Sequence, residues 1–133
     1  MIDEIEYFEV DETKDFQKKV DRFVKKKNFR KLPNQVNNLI DDLEQGKFDG
    51  TLLRTVKEPV EHDIYKLRMP NEDTKEGKSN GYRVIYAVTA EQKLVLLVDV
   101  YYKKEENDVT ESYVSGLIDC YFLTRNNVAI AKC

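Results

Sequence analysis

The chain has 133 residues, with 22 Lys or Arg against 25 Asp or Glu and a formal net charge of -3. This length fits one domain, and a composition of 41% hydrophobic and 35% charged residues is typical of a folded globular protein and excludes a disordered chain. No apolar run approaches the ~20 residues of a membrane span, and the acidic opening MIDEIEYFEVDE is the reverse of a signal peptide. The sequence therefore predicts a cytoplasmic protein without membrane contact.

The first predicted elements are a short strand and a helical hairpin. The stretch IEYFEV, residues 5–10, alternates enough to predict the strand. A helix near 13–27 follows, and a second helix begins at Pro33 and ends at Gly46, which suits a left-handed cap. The apolar residues that give the two helices their periodicity are Phe16, Val20, Phe23, Val24, Val36, Leu39, Ile40 and Leu43.

After Gly50 the hydrophobic period changes from that of a helix to that of a strand, and one more short helix is predicted from Val109 to about Phe122. The expected fold is α+β: the N-terminal strand and the hairpin pack with the last helix on one face of a twisted, antiparallel, four- to five-stranded sheet. We expect a single domain over residues 1–122 and a tail over 123–133. The predicted strands after Gly50 are Thr51–Val56, Asp63–Met69, Tyr82–Val88 and Leu94–Tyr102.

The charges are segregated along the chain. Residues 18–31 hold eight Lys or Arg against one acid, Asp21, whereas residues 1–17 hold seven acids against Lys14. Local potential therefore matters more than net charge. The basic face of the first helix is a solvated surface by default, and its members are Lys18, Lys19, Arg22, Lys25, Lys26 and Arg30.

Several cations fall on the predicted sheet or beside it. Alternation in DIYKLRMP puts Lys66 and Arg68 on the face opposite the apolar set, and this face is expected to be open. Such cations could form a shallow cleft for an anionic polymer, with tyrosines for base stacking. Alternatively, the lysines are solvated residues at strand ends, and the tyrosines are present for β-propensity and packing and bind no RNA. The further residues concerned are Lys78, Arg83, Lys103 and Lys104, with Tyr82, Tyr86, Tyr101 and Tyr102.

Conventional catalytic and cofactor motifs are missing. Gly77-Lys78-Ser79 is the end of a nucleotide-binding P-loop, but Glu72 stands where the first glycine belongs and a strand follows instead of a helix. We therefore expect no nucleotide cofactor. The single histidine, His62, excludes a paired-histidine ribonuclease, and no spacing of potential ligands indicates a metal.

Over residues 3–120 the sequence resembles the RelE/ParE superfamily of type II toxin-antitoxin toxins. The resemblance is carried by the hairpin FQKKVDRFVKKKNFRKLPNQVNNLIDDLEQGKFDG, by IYKLRMP, by GKSNGYRVIY and by LVLLVDVYYKKEENDV. The GKS-x-GYR-x-IY form resembles the HigB-like branch more than it resembles the best-studied RelE enzyme. The resemblance implies an endoribonuclease that cuts mRNA on the ribosome by attack of a ribose 2′-OH, without metal or cofactor. It also implies three partners: a cognate antitoxin, the ribosome and mRNA.

Residue by residue, the resemblance implies catalytic roles for Lys66, Arg68, Arg83 and, approximately, Lys104. RNA-binding roles are expected for Lys78, Tyr82, Tyr86, Tyr102 and Lys103. The sequence departs from the family at 105–110, where EENDVT replaces further basic residues and a catalytic tyrosine; Tyr102 or Tyr113 is a candidate substitute for the tyrosine. Alternatives are therefore a ParE-like gyrase inhibitor and a degenerate module that only holds an antitoxin, over either segment 13–45 or the open sheet face.

Overall fold

The computed structural model describes residues 7–125 and has the expected α+β fold. Within these residues, three helices accompany one five-stranded sheet. In chain order the elements are β1 (Glu9–Glu12), α1 (Lys14–Lys27), α2 (Leu32–Glu44), β2 (Thr51–Val56), β3 (His62–Met69), β4 (Tyr82–Thr89), β5 (Leu94–Tyr102) and α3 (Glu111–Arg125).

Side-chain caps and left-handed residues fix the ends of the helical hairpin. Thr13 Oγ1 accepts a hydrogen bond from the backbone of Phe16 at 3.0 Å, as an N-cap does, and it also donates to the carbonyl of Val98 on β5 at 2.7 Å. Helix α1 ends at Asn28, which has a φ of 62°. Gly46 has a φ of 79°, which confirms the predicted left-handed residue after α2.

The sheet order is β1-β5-β4-β3-β2, and it corrects one expectation. Strands β2 to β5 pair antiparallel, as predicted, but β1 runs parallel to β5, so the sheet is mixed. Alternation of apolar residues reports only that a segment is a strand, and it carries no information about direction or partner. Of the predicted strand 5–10, residues 5 and 6 lie outside the described part, and β1 is found at Glu9–Glu12.

Helix α3 packs on the face of the sheet opposite the hairpin, which corrects the expectation that all helices share one face. Strands β4 and β5 are buried along their whole length because both of their faces are covered. Residues 123–125 of the predicted tail belong to α3, and the rest of it lies outside the described residues. The core beneath α3 consists of Ile64, Ile85, Ala87, Leu96, Val98, Tyr101, Val114 and Ile118.

The glycine of the GYR motif has a packing role. A Cβ on Gly81 would lie 2.3 Å from the carbonyl oxygen of Met69 and 2.9 Å from the backbone nitrogen of Asn71. Only glycine lets β4 start so close to the end of β3. Within the described residues, no helix is both long and apolar enough to cross a bilayer.

Candidate nucleic-acid interface

The strand register brings three of the expected site residues onto one face of the sheet. Arg68 on β3 stands directly opposite Arg83 on β4, and Lys66 stands opposite Ile85. Because side chains alternate along a strand, Lys66, Arg68 and Arg83 share the α3 face. That face is not open throughout, since Ile85 and its neighbours lie beneath α3. The cations therefore occupy only the uncovered end of it.

Lys66 lines a cavity of about 220 Å³ between β2, β3 and the start of α3. Its Nζ lies 3.1 Å from Asp108 Oδ1, which also accepts hydrogen bonds from the backbone of Val109 at 2.8 Å and from the hydroxyl of Tyr101 at 3.3 Å. The Val109 backbone hydrogen bond and then Lys66 hold the pKa of Asp108 below its usual value. Burial raises the pKa of Tyr101.

Arg68 and Lys78 line a second cavity, of about 210 Å³, beside α2. Both residues are exposed, and Asp42 and Glu72 also line the cavity. Lys66 does not contribute to this cavity, although it lies only two residues from Arg68. The cations on the sheet are thus divided between two separate depressions.

Arg83 holds the loop that contains the GKS tripeptide. Only 6% of this residue is exposed. Its guanidinium donates to the carbonyl oxygens of Lys78 at 2.8 Å, of Ser79 at 2.9 Å and of Tyr82 at 3.3 Å. Most of its hydrogen-bond donors are therefore directed at its own loop, and these hydrogen bonds fix the backbone position of Lys78.

Lys104 belongs to a cluster around Glu76. Its Nζ lies 2.5 Å from Glu76 Oε2, and Oε1 of the same carboxylate accepts hydrogen bonds from the hydroxyls of Tyr102 and Thr74. Hydrogen bonds from Lys104, Tyr102 and Thr74 lower the pKa of Glu76 to about 2. Lys103 is turned elsewhere, with its Nζ 3.5 Å from the carbonyl oxygen of Asn107.

The Glu76 cluster predicts that the free energy of unfolding depends on pH in the acidic range. The folded-state pKa is about 2 and the ordinary value is 4.5, so the folded state binds fewer protons between these values than the unfolded state does. The contribution of Glu76 is therefore complete above pH 4.5 and is lost as the pH falls through about 2. We expect Glu76→Gln to flatten the fall in unfolding free energy over this interval, measured by urea titration at several pH values. Replacing the exposed Glu91 by Gln should leave the slope as in the wild type, and an unchanged slope in Glu76→Gln would contradict the argument.

The four tyrosines expected to stack on RNA bases are buried, so that expectation is wrong; Tyr101 is 1% exposed in the core beneath α3. Tyr82 and Tyr86 are fully buried and Tyr102 is 7% exposed, all in the core beneath the helical hairpin. The hydroxyl of Tyr86 donates to the carbonyl of Asp49, whereas that of Tyr82 has no hydrogen-bond partner in the described part. Alternation along β4 puts these rings on the opposite side from Arg83.

A buried ion pair between α1 and β5 was not anticipated. Lys19 Nζ lies 2.7 Å from Oδ1 of the fully buried Asp99, and 5.3 Å from the ring centre of Tyr113 on α3. Burial raises the pKa of Asp99, with Lys19 opposing the shift. The hydroxyl of Tyr113 also donates to Asp15 on α1 at 3.1 Å. Lys19 and Tyr113 therefore link helix α1, strand β5 and helix α3. An acid inside the apolar run LVLLVDVYY was the available signal.

Comparison of the chain with protein-family models and with curated proteins found no match. Within residues 7–125, no three His, Cys, Asp or Glu side chains are grouped so as to hold a metal ion.

Proposed function

We propose that this chain is the toxin of a type II toxin-antitoxin pair, of RelE/HigB type, which cleaves mRNA on the ribosome. The proposal depends mainly on one observation: Arg68 faces Arg83 across neighbouring strands, with Lys66 on the same side. In a molecule of net charge -3, Lys66 and Arg68 are the cations on this face that a phosphate can reach, whereas Arg83 is 6% exposed and directs its guanidinium at its own loop. The α+β fold with a helical hairpin on the other face is consistent with the family resemblance.

In the proposed reaction, a ribose 2′ oxygen forms a bond to the adjacent phosphorus and the bond from phosphorus to the 5′ oxygen breaks. The 2′ proton goes to a base, and the leaving oxygen takes a proton from an acid. Lys66 stabilises the extra negative charge of the phosphorane, Arg68 in the neighbouring depression contacts an adjacent phosphate of the same strand, and Arg83 positions Lys78. These cations lower the barrier by electrostatics and require no histidine.

Proton transfer is the weaker part of this site. Near Lys66 the side chains able to exchange a proton include Asp108, whose pKa is lowered, and Tyr101, whose pKa is raised by burial. Glu111 lines the same cavity, but its carboxylate is paired with Arg54 at 3.3 Å. A catalyst works best with a pKa near the working pH, and losing a general acid or base costs about 10²–10⁴ in rate. The site therefore supports charge stabilisation more strongly than acid-base catalysis, and we expect a slow enzyme.

Expression of the chain alone tests the proposal. We expect translation to stop and new mRNA 5′ ends to map within codons that ribosomes have reached, and the double variant Lys66→Ala/Arg68→Ala to remove both effects. Ribosome-free RNA should stay intact. Growth arrest with intact transcripts and damaged DNA would instead indicate a gyrase inhibitor.

A second candidate is an antitoxin-binding module without nuclease activity. It is favoured by the neutralisation of Lys66 by Asp108 and of Lys104 by Glu76, at 3.1 and 2.5 Å. The absence of growth arrest, together with tight binding of an antitoxin encoded beside this chain, would support it.

A further inference from the structure

Helix α1 carries a stripe of exposed lysines on the side away from the sheet. Lys14, Lys18 and Lys25 recur at intervals of four and seven residues and all are exposed, whereas Phe16 and Phe23 on the other side are fully buried. At about 100° per residue the three lysines fall within about 40° of one another, and the helical rise separates the first from the last by about 16 Å. They form one straight row on a rigid element.

This row retains its positive charge. Together with the adjacent Lys26, these lysines are called here the α1 cationic face. In the part of the chain that the structure describes, none of the four forms an ion pair, and the one acid in the row, Asp21, is likewise unpaired. On the sheet, by contrast, Lys66 is paired with Asp108 and Lys104 with Glu76. The α1 cationic face therefore carries four charges without an ion pair, in addition to sheet-side cations such as Arg68 and Lys78 that also lack one in the described residues.

The chemistry of the α1 cationic face selects among anionic partners. A stable protein interface needs an apolar centre, yet the exposed large apolar side chains of the described part lie elsewhere. Single-stranded nucleic acid is held by exposed aromatic rings, and both phenylalanines of α1 are buried. A double helix presents regularly spaced phosphates that cations alone can bind. The exposed large apolar residues are Tyr7, Leu52, Leu53 and Leu123.

We propose that the α1 cationic face binds the phosphate backbone of double-helical RNA, at a site separate from the sheet cations. The choice of RNA rests on the proposed function, whereas the binding of duplex phosphate rests on the geometry of α1 alone. Bound in this way, the helix fixes how the protein is oriented on folded RNA. It carries no base specificity, because phosphate contacts do not read sequence.

The test uses the full chain and a fluorescent RNA hairpin with a stem of about 20 base pairs, titrated between 50 and 200 mM salt. In Lys18→Gln/Lys25→Gln we expect Kd to rise roughly 10- to 100-fold at 100 mM salt, and the slope of log K against log salt to fall in magnitude by about two. Asp21→Asn should tighten binding several-fold. The matched control is Lys47→Gln/Lys57→Gln, which changes net charge equally at two ion-paired lysines outside α1 and should bind as the wild type does.

Three results would overturn the proposal. Equal losses in the two double variants would mean that only net charge matters. Competition by polyglutamate as strong as that by RNA would indicate an acidic protein as the ligand. Equal affinity for a DNA duplex of the same length would remove the assignment to RNA. The assay is independent of catalysis: a chain that binds as expected but cuts no mRNA fails only the proposed function, and one that cuts mRNA with an unchanged salt slope fails only this inference.

Discussion

Replacing Lys19 by methionine is expected to lower the free energy of unfolding by about 3–5 kcal/mol. Asp99 is fully buried and its carboxylate lies 2.7 Å from the Lys19 ammonium, whose own side chain is 22% exposed. Methionine fills similar space but leaves the carboxylate as an unpaired buried charge. Urea unfolding at neutral pH, followed by far-UV circular dichroism, measures the change.

Two variants distinguish the ion pair from other effects at this position. Lys18→Met is the matched control, because Lys18 is the exposed neighbour of Lys19 and has no ion pair in the described part; its stability should stay within about 0.5 kcal/mol of wild type. Lys19→Met/Asp99→Leu removes both charges and should recover most of the loss, since an apolar pair often replaces a buried ion pair without cost. A double variant as unstable as Lys19→Met would show that packing, and not charge, is lost.

Arg83→Ala is expected to lower the rate of mRNA cleavage about a hundredfold, because displacement of a site by about 1 Å can cost that much. The guanidinium holds the carbonyls of Lys78, Ser79 and Tyr82, so its removal frees the loop that carries Lys78. We also expect a loss of about 1–3 kcal/mol in stability, from acceptors left without partners. Cleavage is measured on ribosomes stalled on a defined mRNA, with urea unfolding in parallel.

Arg83→Lys decides whether shape or charge matters at this position. Lysine keeps the charge but lacks the planar fork that reaches three carbonyls, so we expect a loss close to that of alanine. If Arg83→Lys cleaves at nearly the wild-type rate, the residue acts as a charge on the substrate. Lys78→Ala leaves the carbonyl contacts in place, so it should lose about as much activity as Arg83→Ala, because Arg83 acts through Lys78, but should keep wild-type stability.

The helices and strands were predictable because their apolar periods are strong. The four strands after Gly50 were found within one residue of the expected bounds, and Pro33 and Gly46 marked the second helix correctly. What could not be predicted is which elements become neighbours. The parallel pairing of β1 with β5 and the position of α3 depend on contacts between distant segments. Local alternation does not encode such contacts.

The positions of site residues relative to one another could be predicted where the residues lie on the same strand. Alternation alone placed Lys66 and Arg68 together, and the same rule applied to GYRVIY puts Tyr82 and Tyr86 opposite Arg83. The stacking role was wrong because this alternation places both tyrosine rings in the core beneath the helical hairpin. The partners of Lys66 and Lys104 could not have been identified, since Asp108 and Glu76 lie 42 and 28 positions away along the chain and meet them only in the folded molecule.

The pairing of β1 with β5 sets an order of assembly. The contact between Thr13 and Val98 spans 85 positions, and every partner of β1 in the sheet lies at Leu94 or beyond. Closing a loop of this length costs only slightly more entropy than closing one half as long, so the penalty itself is modest. Within residues 7–125, β1 is nevertheless synthesised before the other strands and cannot pair in the sheet until β5 has been made.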